Sequence, residues 1–329
     1  MILMVLYHYQ QYTGLAFSPD GNCVVVANFF SNTLTVLTRA PNTCNFAITA
    51  TVVGSVANGL SNPSSVAISQ NGCVIVTNSG SNTVSVFTLI GVNDICTLAF
   101  VGVVPTGGTG PTASQFTSDG NCLIVANFNS NNLSVFQVDP NCVLQTPATL
   151  VGTGGLVNPN SIALSPDNRC IAVGNSGANT IAQYSITEAN NVCTVTALPT
   201  SPLQGANLAI PRSVIYSTDG GCLFAANQGS VTGVNGLSIF RSLNSLIVTV
   251  TPSSEQTRFY TIKVNGAVPG NTVIVYDNGN IIGIGIAEND GSFTLTLQLS
   301  VGNHNITAAQ KSTTCCTGDQ SAAVALVVS

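Results

Sequence analysis

Over the first 245 residues, short apolar runs of Val, Ile, Leu and Phe alternate with polar breaks rich in Asn, Ser, Asp, Gly and Pro. Runs of four to six residues bounded by Asp-Gly, Asn-Gly or Pro are strand and hairpin signals. The pattern repeats. FSPDGNCVVVAN (17–28), ISQNGCVIVTN (68–78), TSDGNCLIVAN (117–127), LSPDNRCIAVGN (164–175) and YSTDGGCLFAAN (216–227) align through their first half, at a spacing of roughly 50 residues.

Each unit reads as strand, tight turn, strand, short turn, strand, longer loop, strand. Four short antiparallel strands make one blade of a β-propeller, and the nearly continuous apolar character of CVVVA and CLIVA suits a strand covered on both faces. The prediction is an all-β chain with about five four-stranded blades in residues 1–245. The fifth copy has LSIFRS as its third strand and no evident fourth, so MILMVLYHY at the start of the chain is predicted to complete it. The alternative is an arc of a larger propeller, commonly seven-bladed. An asparagine follows each repeat cysteine by five residues, at 28, 78, 127, 175 and 227, and a second recurs at 32, 82, 131 and 179. Both read as turn residues, whose side chains bond local backbone and which tolerate the left-handed region.

The segment SNPSSVAISQNGCVIVTNSGSNTVSVF resembles the YVTN-type repeats of the lactonase-like β-propeller superfamily. The resemblance implies the propeller fold and leaves function open, because such propellers serve as enzymes, cell-surface proteins and binding platforms. From Leu246 the repeat stops. VNGAVPGNTVIVYDNGNIIGIGIAENDGSFTLTLQLSVGNHNITAAQ resembles bacterial Ig-like domains, with a hairpin over Asn-Gly and a period-two strand in GSFTLTLQL. Residues 246–329 are therefore predicted to form an Ig-like β-sandwich behind the propeller.

Composition narrows the partners. Only 6% of the 329 residues are charged and the net charge is -5, so there is no basic surface for nucleic acid. No apolar run is long enough for a membrane-spanning helix. Met1 to Tyr7 is apolar without a basic start or small-residue cleavage site, and reads as a strand in place of a signal peptide. Eleven cysteines at regular spacing with two histidines fit a disulfide framework and an extracellular or surface location better than a metal site. Cys44, Cys96, Cys142 and Cys193 follow the repeat cysteines at a nearly constant offset, which predicts the pairs Cys23 with Cys44, Cys73 with Cys96, Cys122 with Cys142 and Cys170 with Cys193. Cys222, Cys315 and Cys316 are left for an intermolecular or other bond.

Candidate chemistry is sparse. His8 and His304 have no evident acid or nucleophile beside them, so a Ser-His-Asp machine is not expected, nor is a metal or cofactor. Asp20, Asp119, Asp167 and Asp219 occur once per repeat turn and read as turn residues. Arg212, in AIPRSVIYSTDG, enters the innermost strand of the fifth repeat. That segment resembles the Gly-Pro-Arg-His stretch of phosphogluconolactonase-like enzymes, with Ile210 at the glycine and Ser213 at the histidine position. The resemblance implies an arginine facing substrate; the residue alone fits equally well a role in bonding rim carbonyls. The sequence thus predicts a non-enzymatic extracellular protein, its propeller a platform for a protein or glycan partner or for self-assembly and its Ig-like domain a connector. The alternative is a lactonase-like hydrolase acting on a sugar lactone in the central channel.

Overall fold

A computed structural model describes residues 14–328 apart from 93–94, 190–191, 199–200, 205–207, 219–221, 230–235, 242–245, 254–256, 268–269, 271 and 312–323. The strand predicted over MILMVLYHY, His8, Asp219, Cys315 and Cys316 lie outside the described residues. Among those described there is no helix. The chain divides into two compact units, one of Met1–Leu164, Asn168–Ile215 and Ala225–Ser238, the other of Ser165–Asp167, Tyr216–Phe224 and Ile239–Ser329.

Each of the first four repeats is a four-stranded antiparallel meander. The first has β1 (Leu15–Phe17), β2 (Cys23–Asn28), β3 (Thr33–Arg39) and β4 (Phe46–Val53), and the second β5 (Pro63–Ile68), β6 (Cys73–Asn78), β7 (Thr83–Val92) and β8 (Ile95–Pro105). The third has β9 (Pro111–Phe116), β10 (Cys122–Asn127), β11 (Asn132–Gln137) and β12 (Thr149–Val151), and the fourth β13 (Pro159–Leu164), β14 (Cys170–Asn175), β15 (Thr180–Ala189) and β16 (Val192–Ala197). Among the described residues the fifth sheet holds three strands, β17 (Pro211–Tyr216), β18 (Cys222–Asn227) and β19 (Leu237–Arg241).

Why the repeat folds this way is visible at its turn. The hydroxyls of Ser18, Ser69, Thr117 and Ser217 each accept the backbone N–H of the repeat cysteine, at 2.9 to 3.0 Å. Asp20, Asp119 and Asp167 each accept a hydroxyl proton from the residue two before them, at 2.5 Å. The aspartates are turn residues, as their spacing suggested. The first asparagine of each repeat ties the following hairpin: Asn28 donates to Thr33 and Thr35, Asn78 to Ser85, Asn127 to Ser134, Asn175 to Thr180 and Asn227 to Ser238.

The second asparagine does more than turn the chain. Asn32, Asn82, Asn131 and Asn179 all have φ between 54° and 59°, the left-handed conformation that asparagine tolerates. So placed, each Oδ1 accepts a backbone N–H from the next repeat, at Asn62, Gly110, Asn158 and Ile210, over 2.6 to 2.8 Å. The sheets themselves pack face to face. Ile75, Val84 and Val86 of the second sheet share a core with Phe116, Leu123, Val125 and Phe136 of the third, while Ile124 and Val135 face Ile171, Val173 and Tyr184 of the fourth.

The cysteines follow the same logic, and the predicted pairing within each repeat is corrected. The bonds are Cys23–Cys96, Cys73–Cys142 and Cys122–Cys193, each joining a repeat cysteine to the loop-side cysteine of the next repeat. Cys170 is also disulfide-bonded, while Cys44 is free and exposed and Cys222 free and half-buried. Within one meander the two cysteines are held apart by the third strand, two inter-strand spacings or about 9.5 Å. That exceeds the roughly 7 Å Cα limit for a bridge. Stacking solves the problem across sheets: the Cys96 N–H donates to Thr38, the residue opposite Cys23 in β3, leaving the two cysteine Cα atoms 5.8 Å apart.

The C-terminal strands form two sheets. β20 (Ile247–Pro252), β21 (Phe259–Asn265) and β24 (Phe293–Gln298) make one, in that order, and β23 (Asn280–Ile286), β22 (Thr272–Asp277), β25 (Gly302–Lys311) and β26 (Val324–Val328) the other. Val248, Ile262 and Val264 of the first share a core with Val273, Val275, Ile306 and Ala308 of the second. Beside this core, His304 is buried, its Nδ1 2.6 Å from Asp277 and its Nε2 3.0 Å from the Ser300 carbonyl. Both neighbours are acceptors, so the setting favours the protonated imidazole, which donates from both ring nitrogens. The Asp277 hydrogen bond, then the Ser300 carbonyl, raise its pKa above 6.5.

Candidate functional site

The first strands of successive repeats, β5, β9 and β13, run side by side, and Ser65 and Ser114 hydrogen-bond across them at 3.1 Å. Each begins with proline, and each carries a β-bulge at the next residue: the register with the second strand skips Ser64, Thr112 and Asn160. A bulge leaves its residue unpaired in the ladder and re-aims the side chain. Ser64 uses this to donate to the Pro111 carbonyl of the next repeat at 2.7 Å, and Thr112 to donate to that of Pro159 at 3.1 Å. In the fifth repeat the residue after proline is Arg212.

Arg212 is half-buried, and its Nε donates to Gln228 Oε1 at 2.6 Å. Gln228 is fixed in turn, its backbone N–H bonded to the Ile210 carbonyl at 3.0 Å. Ile210 has φ of 52°, where its counterparts before proline are Asn62, Gly110 and Asn158. A β-branched residue in the left-handed region is strained by about 1–3 kcal/mol, and such strain clusters at functional sites. The Asn179 side chain holds it there through the Ile210 N–H. The sequence singled out Arg212 and missed Gln228; the isoleucine at a glycine position was the available signal for the strain.

The other candidates do not join this site. His304 lies in the C-terminal unit with both nitrogens engaged, so it is not poised as a base. Asp119 and Glu188 meet between the third and fourth sheets. Burial and the Asp119 hydrogen bond raise the Glu188 pKa, whereas in Asp119 the opposing effect of burial is outweighed by hydrogen bonds from Thr117 and Asn121. Asp119 follows the far end of β9 from Pro111, about 17 Å along the strand from the bulge level. No three His, Cys, Asp or Glu side chains among the described residues are grouped to hold a metal ion. An open apolar groove lined by Val104, Pro105, Leu144, Pro147 and Leu150 has no titratable side chain.

Several solved structures share the fold. A functionally unknown protein from Desulfotomaculum acetoxidans superposes with a TM-score of 0.53 at 16% identity, covering 87% of this chain and 90% of its own. A 6-phosphogluconolactonase candidate from Bacteroides uniformis gives 0.53 at 16% identity over 95% and 84%, and a protein from Lactobacillus plantarum 0.52 at 17% over 88% and 90%. No curated protein matches the chain. The family model described as "Lactonase, 7-bladed beta-propeller" matches residues 14–150 and 143–241. This match overturns the expectation of a non-enzymatic platform, which rested on the cysteine lattice, the surface rich in Asn, Ser and Thr, and the Ig-like companion domain. The chain belongs to the lactonase family of β-propellers.

Proposed function

We propose that the chain is a lactonase-like hydrolase that opens a sugar lactone, with Arg212 as its anion-binding residue. The observation that carries the reading is the setting of Arg212: a guanidinium on the residue after the proline that opens a first strand, oriented by Gln228 and seated beside the strained Ile210. Water adds to the lactone carbonyl, the ring C–O bond breaks, and the alkoxide takes up a proton to leave a hydroxy acid. A fixed cation near the carbonyl stabilises the oxyanion that forms when water adds, and near a phosphate or carboxylate it orients the substrate. The guanidinium stays protonated, so the arginine does electrostatic work and transfers no proton.

Residues 246–329 form an Ig-like sandwich that follows a propeller ending near residue 245, supported by the three- and four-stranded sheets and their shared core. The protein works outside the cytosol, which the formed disulfides favour.

The test is hydrolysis of D-glucono-δ-lactone and its 6-phosphate, followed by acid release against buffer. Arg212→Ala should lower kcat/KM by about a hundredfold or more, the usual cost of one oxyanion donor. A wild-type rate equal to buffer, or an Arg212→Ala rate equal to wild type, overturns the proposal.

A further inference from the structure

At the bulge of the fourth repeat the pattern set by Ser64 and Thr112 breaks. Asn160 is 5% exposed, yet neither its Oδ1 nor its Nδ2 has a hydrogen-bond partner, and the buried Ser161 Oγ beside it has none. Buried polar atoms are almost always paired, and three orphans on two adjacent residues call for a reason. Two partners present in the second repeat are missing here. Ser64 bonds the Thr77 hydroxyl as well as the next proline carbonyl, but the residue paired with Ser161 in the ladder is Gly174, where the second repeat has Thr77. A Cβ at Gly174 would fall 2.5 Å from Ser161 Oγ, 3.4 Å from Asn160 Oδ1 and 3.5 Å from Val214 Cγ1. Asn160, Ser161 and β17 thus converge on one point, two residues along β17 from Arg212.

We propose that Asn160 and Ser161 are the hydroxyl-binding subsite of the lactone site, taking a vicinal diol of the sugar while Arg212 takes the charged or reacting oxygen; this rests on the lactonase reading. The chemistry fits a diol: an amide accepts one hydroxyl proton at Oδ1 and donates from Nδ2 to the neighbouring hydroxyl oxygen, and a serine hydroxyl adds one donor and one acceptor. Access is local. Ser161 is itself half-exposed although its Oγ is buried, so a ligand would reach the pair from the side on which Ser161 meets solvent. The ligand then supplies the bonds that Thr77 and Pro111 supply to Ser64.

The experiment compares D-glucono-δ-lactone with δ-valerolactone, which has the same ring and no hydroxyls, in wild type, Asn160→Ala and Asn160→Thr. The threonine variant copies Thr112, which the repeat already accommodates. Both variants should raise KM for the gluconolactone at least tenfold and leave the kinetics on valerolactone unchanged; D-gluconate should raise the Tm of wild type and not of the variants. Equal loss on both lactones marks a structural role and overturns the inference, as does no loss on either. If wild type hydrolyses neither lactone the lactonase reading fails by itself, and the gluconate shift decides the subsite: a shift abolished in both variants upholds diol binding, and no shift, or one retained in them, overturns it.

Discussion

Replacing Cys73 and Cys142 together by alanine removes a link between the second and third sheets without touching any residue near Arg212. The bond spans 69 residues, and the chain-entropy relation for a loop of that length gives about 4.4 kcal/mol of stabilisation. A bond from Cys73 to Cys96 would close a loop of about 24 residues and be worth about 3.4 kcal/mol on the same relation. Energy alone separates the two pairings poorly, so the assay needs two parts. Equilibrium urea unfolding without reductant should show the double variant less stable by about 4 kcal/mol. Digestion of the wild type without reductant should release a peptide carrying Cys73 joined to Cys142, and Cys44 should alkylate readily. A Cys73–Cys96 peptide, or a loss below about 1 kcal/mol, would refute the stapling of one sheet to the next.

Asn82→Ala should cost about 2–4 kcal/mol in the same urea assay, because it leaves the Gly110 N–H without its 2.8 Å acceptor and puts alanine at a φ of 59°. Asn82→Gly loses only the hydrogen bond and should recover about 1 kcal/mol of that; equal losses would remove the argument from backbone conformation. His304 gains its favourable interactions as a cation, so its contribution is complete below pH 6.5 and disappears as pH rises through its higher folded value. Thermal melts of the wild type from about pH 5 to about pH 9 should show this decline for the C-terminal unit, and His304→Gln should flatten it; a slope unchanged in the variant would show that another group titrates there.

Much of the N-terminal fold was legible because its determinants are local. Strand periodicity, Asp-Gly and Asn-Gly turns and a cysteine at one phase of each repeat act within about a dozen residues, and β2, β6, β10, β14 and β18 all begin at the repeat cysteine. Asp20, Asp119 and Asp167 keep the turn role their spacing suggested for the same reason. Function was less legible. No base or nucleophile stands out along the chain, whereas the family match spans residues 14–150 and 143–241.

What the sequence determined, then, is the blade: four strands, their turns and the places where cysteine and asparagine recur. Only the tertiary structure decided which cysteines meet, because a constant offset of about 20 residues marks two points on one meander that its third strand keeps apart, and stacking brings a different pair together. The same holds for Asn82, whose partner lies in the next repeat, and for Ile210, whose left-handed backbone is imposed from Asn179. Asn160 looks like any bulge residue in the chain and is orphaned only by what its neighbours fail to offer. Contacts within a repeat, such as Arg212 with Gln228, follow from local pattern; contacts between repeats, such as Asn179 with Ile210, depend on how finished sheets pack.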